Sequence, residues 1–188
     1  MKEKQIIEAT RKLFERYGYK RVSMDEIAKQ SGVTKKTVYS YFKNKEEFLK
    51  YFLNEEVQNM KKIFEESEKE NQSFFENLQE AISELIKYIK GRNFLKIIFE
   101  ESESFKSSVI IENIKVIEVA IQNYIKEKLQ KAIDEEQIIV ENVDVMAFLI
   151  YKMYVALLLE WEDENEIDEA LIADTIINLL KNGLEVKK

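Results

Sequence analysis

Across its 188 residues the chain contains no proline and only 4 glycines. Proline breaks a helix by removing an amide donor, and glycine weakens one through the entropy it loses on ordering. A chain this poor in both can sustain long helices and lacks the turn chemistry of a sandwich or barrel. Its apolar residues also recur at three- and four-residue intervals, the period of a helix with one buried face. The expected fold class is therefore all-α. The length suits one large domain or a small domain fused to a larger one. Cysteine and histidine are both absent, which excludes thiol chemistry, disulfides, imidazole catalysis and ordinary zinc sites.

Three helix starts crowd into residues 23–45. Ser23 and Glu26 have the spacing of a capping box, in which side chain and backbone satisfy each other's free groups. Ser31-Gly32-Val33 reads as a tight turn, with glycine where a left-handed residue is needed. Thr34 is placed to cap a helix running to about Phe42. Asn44 and Glu47 repeat the box spacing for the next helix. Ala28 and Val38 flank Gly32 as in two helices crossing closely, a helix-turn-helix. Upstream, Ile6, Ala9, Leu13, Phe14 and Tyr17 form one helical stripe that ends at Gly18. Ile27, Ala28, Val38 and Phe42 are its expected partners.

A long helix should follow from about Lys45 to Lys69, lined by Phe48, Leu49, Phe52, Val57, Met60 and Phe64. No glycine- or serine-rich linker separates it from what precedes, so it reads as a mechanical link. Residues 66–72 read as a loop. Ser73 and Glu76 box the next helix, which Gly91 closes. A short segment covers Asn93 to about Glu101, and a long helical period covers Phe105 to Ile133. Asn142 should cap a helix ending near Trp161. That helix is apolar almost all round, so it needs two covers, one of them a second subunit. Asp168 is placed to cap the last helix. The most apolar run, residues 145–159, is shorter than the roughly 20 residues a membrane span needs and contains Lys152. No membrane association is expected. The opening residues show no basic-plus-apolar leader, and a cytoplasmic location is expected.

Charge is divided unevenly along the chain. The net charge is −7, yet residues 1–50 carry 13 basic and 7 acidic residues, against 16 and 29 in the remainder. A basic head on an acidic body points to a polyanion approached by the head alone.

Residues 6–49 carry a recognisable pattern. Ile6 through Phe14, Gly18-Tyr19, Asp25-Glu26-Ile27-Ala28, Gly32-Val33 and the run Tyr39 to Glu46 closely resemble the DNA-binding head of the TetR family of transcriptional regulators. The resemblance implies a TetR-like fold of about nine helices. Its parts would be a three-helix DNA-binding domain at residues 1–45, a long helix, and an effector-binding and dimerisation bundle at 46–188. It also implies a homodimer through the last two helices. The implied activity is that of a ligand-responsive, sequence-specific repressor, released from a palindromic operator when a small molecule binds.

The resemblance places the second helix of the motif in the major groove, its N-terminus toward phosphate. Lys35, Lys36 and Thr37 are the early positions for base edges. Tyr39, Ser40 and Tyr41 lie along the same surface, the tyrosine hydroxyls toward phosphates. Lys45 and its amide would clamp a phosphate at the next helix start. Ser23 and Thr34 are further candidates, each also needed as a cap. Many family members have a small residue where this chain has Lys36.

The implied effector is an apolar or aromatic small molecule. Its candidate contacts are Phe64, Leu78, Ile82, Phe99, Tyr124, Phe148 and Tyr151, although aromatics at helical spacing are also what a core is made of. Tyr88 and Tyr154 could add hydroxyls, and Gln122 or Asn123 amides. Two other readings remain open. A TetR-like protein can act through a protein partner. The carboxylates Glu100, Glu101 and Glu103, or Glu160, Glu162, Asp163 and Glu164, could suggest a carboxylate-metal enzyme, but a di-iron bundle needs histidines the chain lacks. No enzyme, metal site or cofactor is expected.

Overall fold

The computed structural model describes residues 2–91, 93–157 and 169–184. Among the described residues the chain forms α1 (Lys2–Tyr17), α2 (Met24–Ser31), α3 (Lys35–Tyr41), α4 (Lys45–Ser67), α5 (Phe74–Lys90), α6 (Asn93–Phe105), α7 (Ser108–Asp134), α8 (Val143–Val155) and α9 (Glu169–Leu184). They fall into two compact units. One is Met1–Glu56 with Arg92–Ile117, and the other is Val57–Gly91 with Glu118–Lys188. Residues 1–45 lie wholly within the first unit.

The first unit closes around aromatic rings. Phe14, Phe48, Phe52 and Phe94 are fully buried, with Ile6, Ile27, Val38, Leu49, Ile98 and Ile110. Phe42 stacks on Phe48 with centroids 3.9 Å apart, while Phe14 and Phe94 meet Phe52 edge-on at 5.8 and 5.6 Å. Each such burial contributes about 1.5–3 kcal/mol. The Arg11 guanidinium lies over this aromatic group, 4.4 Å from the Phe52 centroid. It donates to Glu55 at 2.8 Å and to the buried Glu56 at 3.1 Å. Partners on both sides allow such a charge to leave water. The stripe on α1 differs from expectation at its end. Thr10 is buried, its hydroxyl donating to the Ile6 carbonyl at 2.8 Å, and Tyr17 is 47% exposed. An apolar stripe drifts around the helix over four turns, so the last member leaves the core face.

The second unit is built from the end of α4, α5, most of α7, α8 and α9. Ile82, Ile86, Leu129, Ala132, Ala147, Ala173, Ile176 and Leu180 form its core. The Ser73–Glu76 capping box is present at α5. α6 continues to Phe105, beyond the expected end at Glu101, because Lys106 takes a left-handed turn and its amide donates to the Ser102 carbonyl. Asn142 caps α8 as its spacing predicts. The expected helix end at Trp161, the Asp168 cap and the carboxylates at 160–164 lie outside the described residues.

α8 has two faces. Ala147, Tyr151 and Val155 are buried at four-residue intervals, whereas Val145, Phe148 and Leu149 are about half exposed. On α9, Ala173, Ile176, Ile177 and Leu180 point inward, and Leu171 and Leu179 stand exposed, eight residues apart.

Candidate nucleic-acid interface and effector cavity

The start of α2 is locked by Ser23. Its hydroxyl accepts from the Glu26 amide at 3.3 Å, and the Glu26 carboxylate accepts from the Ser23 amide at 2.7 Å. That bonding holds the fully exposed Glu26 carboxyl below its ordinary range. α2 stops at Gly32, whose φ of +66° is left-handed. The Gly32 amide donates to Lys29 and the Val33 amide to Ala28, a Schellman closure. Two residues later the Thr34 hydroxyl accepts from the Thr37 amide at 3.2 Å and starts α3. The helix-turn-helix is thus fixed by caps at each end of its turn.

α3 then buries Val38 alone and turns its other side chains outward. Tyr39 and Tyr41 are 43% and 45% exposed. Lys36 is exposed and has no ion-pair partner among the described residues. Lys35 differs: its ammonium forms an exposed ion pair with Asp25 at 2.6 Å, and that bond raises its pKa. Thr37 and Ser40 are occupied locally, the Thr37 hydroxyl with Thr34 and the Ser40 hydroxyl donating to the Thr37 carbonyl.

Lys45 opens α4 but turns inward. Its ammonium donates to the Lys20 carbonyl at 3.1 Å and lies 4.4 Å from the Tyr19 ring centroid. Burial pushes its pKa down. The buried Glu101 carboxylate of α6 belongs to the same group and accepts from the Lys20 amide at 3.2 Å. Tyr19 is pushed up to about 12 by burial, then by Glu46 and Glu101. At the following helix start the box is shifted by one residue. Asn44 accepts from the Glu47 amide, while the Glu47 carboxylate takes the Lys43 amide at 2.7 Å.

The second unit holds a cavity of about 670 Å³, within the size range of small-molecule sites. Phe64, Leu78, Ile82, Tyr124 and Tyr151 line it. Phe99 does not; it lies on α6 in the first unit. Nor does Phe148, which is 45% exposed on the outer face of α8 beneath the Lys152 ammonium. Tyr154 lines the wall and its hydroxyl points to the Met60 sulfur at 3.9 Å. Burial pushes the Tyr151 phenol up to about 12, with Glu118 adding to the effect. Tyr88 is engaged by the Asn59 amide at 2.9 Å instead.

The cavity also has a polar end that the sequence reading missed. Glu68 accepts from Lys128 at 2.7 Å and from Lys131, and these bonds hold its carboxyl down at about 2. Lys61 and Lys128 lie 5.3 and 5.6 Å from the Tyr124 ring centroid. The Tyr124 hydroxyl and Gln72 Oε1 are buried with no hydrogen-bond partner among the described residues. Leaving such an atom unpaired costs about 1–3 kcal/mol. Tyr124, Lys128 and Lys131 recur at helical spacing on α7, which is the signal that could have found them.

The family model for bacterial regulatory proteins, tetR family, matches residues 6–52. YhgD, an uncharacterised HTH-type transcriptional regulator of Bacillus subtilis (strain 168), is 31% identical over 184 residues, covering 97% of this chain and 96% of the relative.

The chain belongs to the TetR family.

Among solved structures, Salmonella enterica GusR has a TM-score of 0.81 at 19% identity, over 96% of this chain and 94% of that one, and supports the fold. The transcriptional regulator FadR from Bacillus subtilis, solved in complex with stearoyl-CoA, has a TM-score of 0.79 at 25% identity, over 96% and 98% of the two chains. This TetR-family protein is accordingly a transcriptional regulator that binds DNA through its helix-turn-helix, and not an enzyme. Its Glu101 holds a backbone amide, and no group of three or more potential metal ligands is gathered among the described residues. No helix among the described residues is long and apolar enough to cross a membrane.

Proposed function

We propose that the protein is a ligand-responsive repressor that acts in the cytoplasm as a homodimer on a palindromic operator. The observation that carries this reading is the pairing of an outward-facing α3 with a cavity of about 670 Å³ elsewhere in the same chain. Residues 1–45 serve as the DNA-binding domain and residues 46–188 as the effector and dimerisation domain. The exposed faces of α8 and α9 supply the dimer surface, since Phe148, Leu149, Leu171 and Leu179 stand about half exposed or more within the described residues of one chain.

On α3 the roles divide by what each side chain already does. Lys36 reads base edges because its ammonium is unpaired and stands at the helix N-terminus. Tyr39 and Tyr41 meet phosphates. Lys35 and Thr37 are secondary contacts, since each is already bonded to a neighbour. Thr34 and Ser23 act first as caps, and Ser40 lies beside the docking surface. At Lys45 the backbone amide is the better phosphate donor, because the ammonium is bonded to Lys20.

The effector has a long apolar body. Phe64, Leu78, Ile82, Tyr124 and Tyr151 favour such a body, and so does a relative whose solved structure holds stearoyl-CoA. Binding shifts the protein between two states of unequal DNA affinity. α4 is the element that carries the shift, because one helix contributes both the Lys45 end and the cavity-lining residues Val57, Met60 and Phe64.

Selection of bound duplexes from a random pool tests the DNA half. A palindromic site is expected, with half-sites about one helical turn or a multiple apart. Lys36→Ala should alter the selected sequence, whereas Tyr39→Phe should weaken binding about equally for all sequences. A selection profile unchanged by Lys36→Ala would remove the base-reading role.

A further inference from the structure

The polar end of the cavity carries an inference that rests on the effector reading and makes it chemically specific. Glu68 follows directly on the last residue of α4 and is gripped by two lysines of α7, Lys128 and Lys131. All three line the cavity. A carboxylate held by two ammonium groups is the arrangement an anionic ligand head would need, and here the chain supplies the anion itself. The Glu68 side chain is 36% exposed, so water and a competing anion can reach it. Beside it stands a second, independent signal. The Tyr124 hydroxyl, in a residue only 9% exposed and with the Lys128 ammonium nearby, makes no hydrogen bond among the described residues of the same cavity wall. Neutral atoms left unpaired beside a charged pair mark a place where a ligand atom completes the bonding.

We propose that the cavity takes an amphiphile with one anionic head and that Glu68 is the internal stand-in for that head. The incoming anion takes Lys128 and Lys131 and accepts from the Tyr124 hydroxyl. Glu68 is released, and with it the tie between the end of α4 and α7. The apolar body occupies the space bounded by Phe64, Leu78 and Ile82. Selectivity for an anion over a neutral chain then comes from the lysines, while Glu68 sets how strong the competing head must be. A carboxylate and a phosphate monoester share this chemistry.

Calorimetric titration of the full chain with hexadecanoate, hexadecyl phosphate and hexadecan-1-ol tests the proposal. Either anion should bind more tightly than the alcohol, and the tighter of the two identifies the head. Glu68→Gln should tighten the preferred anion by about three- to tenfold and leave the alcohol unchanged, the range expected of a partly exposed ion pair. The double variant Lys128→Ala/Lys131→Ala should bring the anion down to the affinity of the alcohol. Circular dichroism and thermal melts would confirm that each variant is folded. Equal binding of all three probes, or an equal effect of Glu68→Gln on anion and alcohol, overturns the proposal while leaving an apolar effector site in place. Failure of all three to bind overturns the long-chain effector reading and the proposal with it.

Discussion

The first compact unit fills its interior with interlocking rings and pairs its buried charges; the second leaves about 670 Å³ open and, among the described residues, two buried polar atoms without a hydrogen bond. In the first, Arg11 answers Glu55 and Glu56, and Glu101 answers a backbone amide. In the second, the Tyr124 hydroxyl and Gln72 Oε1 make no hydrogen bond within the described residues. A close-packed interior with satisfied polar groups favours one arrangement of its helices. An incompletely filled one has lower-cost alternatives and gains contacts when occupied. The contrast suits a regulator that must hold a recognition helix at fixed geometry while remaining responsive elsewhere.

The contrast can be broken most sharply by removing one ring from each unit. Phe48→Ala, at a fully buried site, should lower stability by about 3–5 kcal/mol in urea denaturation. Phe64→Ala enlarges a cavity that already exists and should cost less than about 2 kcal/mol. Equal losses would mean that the two interiors are packed alike. A smaller effect is expected at the turn after α1. Gly18 has a φ of +79°, and a Cβ there would collide with the Glu101 carboxylate. Gly18→Ala should therefore cost about 1–3 kcal/mol. Glu101→Ala in the same background should recover part of that loss, which a purely backbone effect would not allow. Thr34→Ala removes the cap of α3 and should cost about 1 kcal/mol by the same denaturation measurement. It should also reduce operator affinity, because the helix start is what aims Lys36.

The smallest expected effect is the acid response of the second unit. Glu68 is held at about 2, below its ordinary 4.5, chiefly by Lys128 and then Lys131. A carboxyl with a depressed native pKa stabilises the fold above its unfolded value, and that contribution fades as pH falls toward the native one. The Glu68→Gln variant should thus match the wild type near pH 2 and fall behind it above about pH 4.5 in thermal melts. Parallel curves across that range would show that the tie contributes nothing to stability.

Local signals were legible in the sequence, and the reason is physical. Caps and stops are set by residues within four positions, so Ser23–Glu26, Gly32, Thr34, Ser73–Glu76 and Asn142 stand where their spacing placed them. The family pattern of residues 6–49 carried the fold. What sequence spacing could not convey was competition between distant partners. The pairing of Lys35 with Asp25, the inward turn of Lys45 onto Lys20, and the bond from Glu101 across 81 positions to the same residue all depend on tertiary placement. Helical period placed Phe99 and Phe148 on apolar stripes, but period alone does not say what a stripe faces. Phe99 belongs to the ring-filled unit and Phe148 to a face open in the single chain. The polar end of the cavity was missed because lysines and glutamates on a charged helix ordinarily read as solvated.

Under the proposed function, a ligand in the second unit alters DNA binding by a head that contains none of the cavity residues. The most direct test is the affinity of the full-length protein for its selected operator, measured with and without saturating hexadecanoate. A fall of about tenfold or more, relieved by Lys128→Ala/Lys131→Ala, is predicted. Unchanged operator affinity with hexadecanoate demonstrably bound would contradict the account.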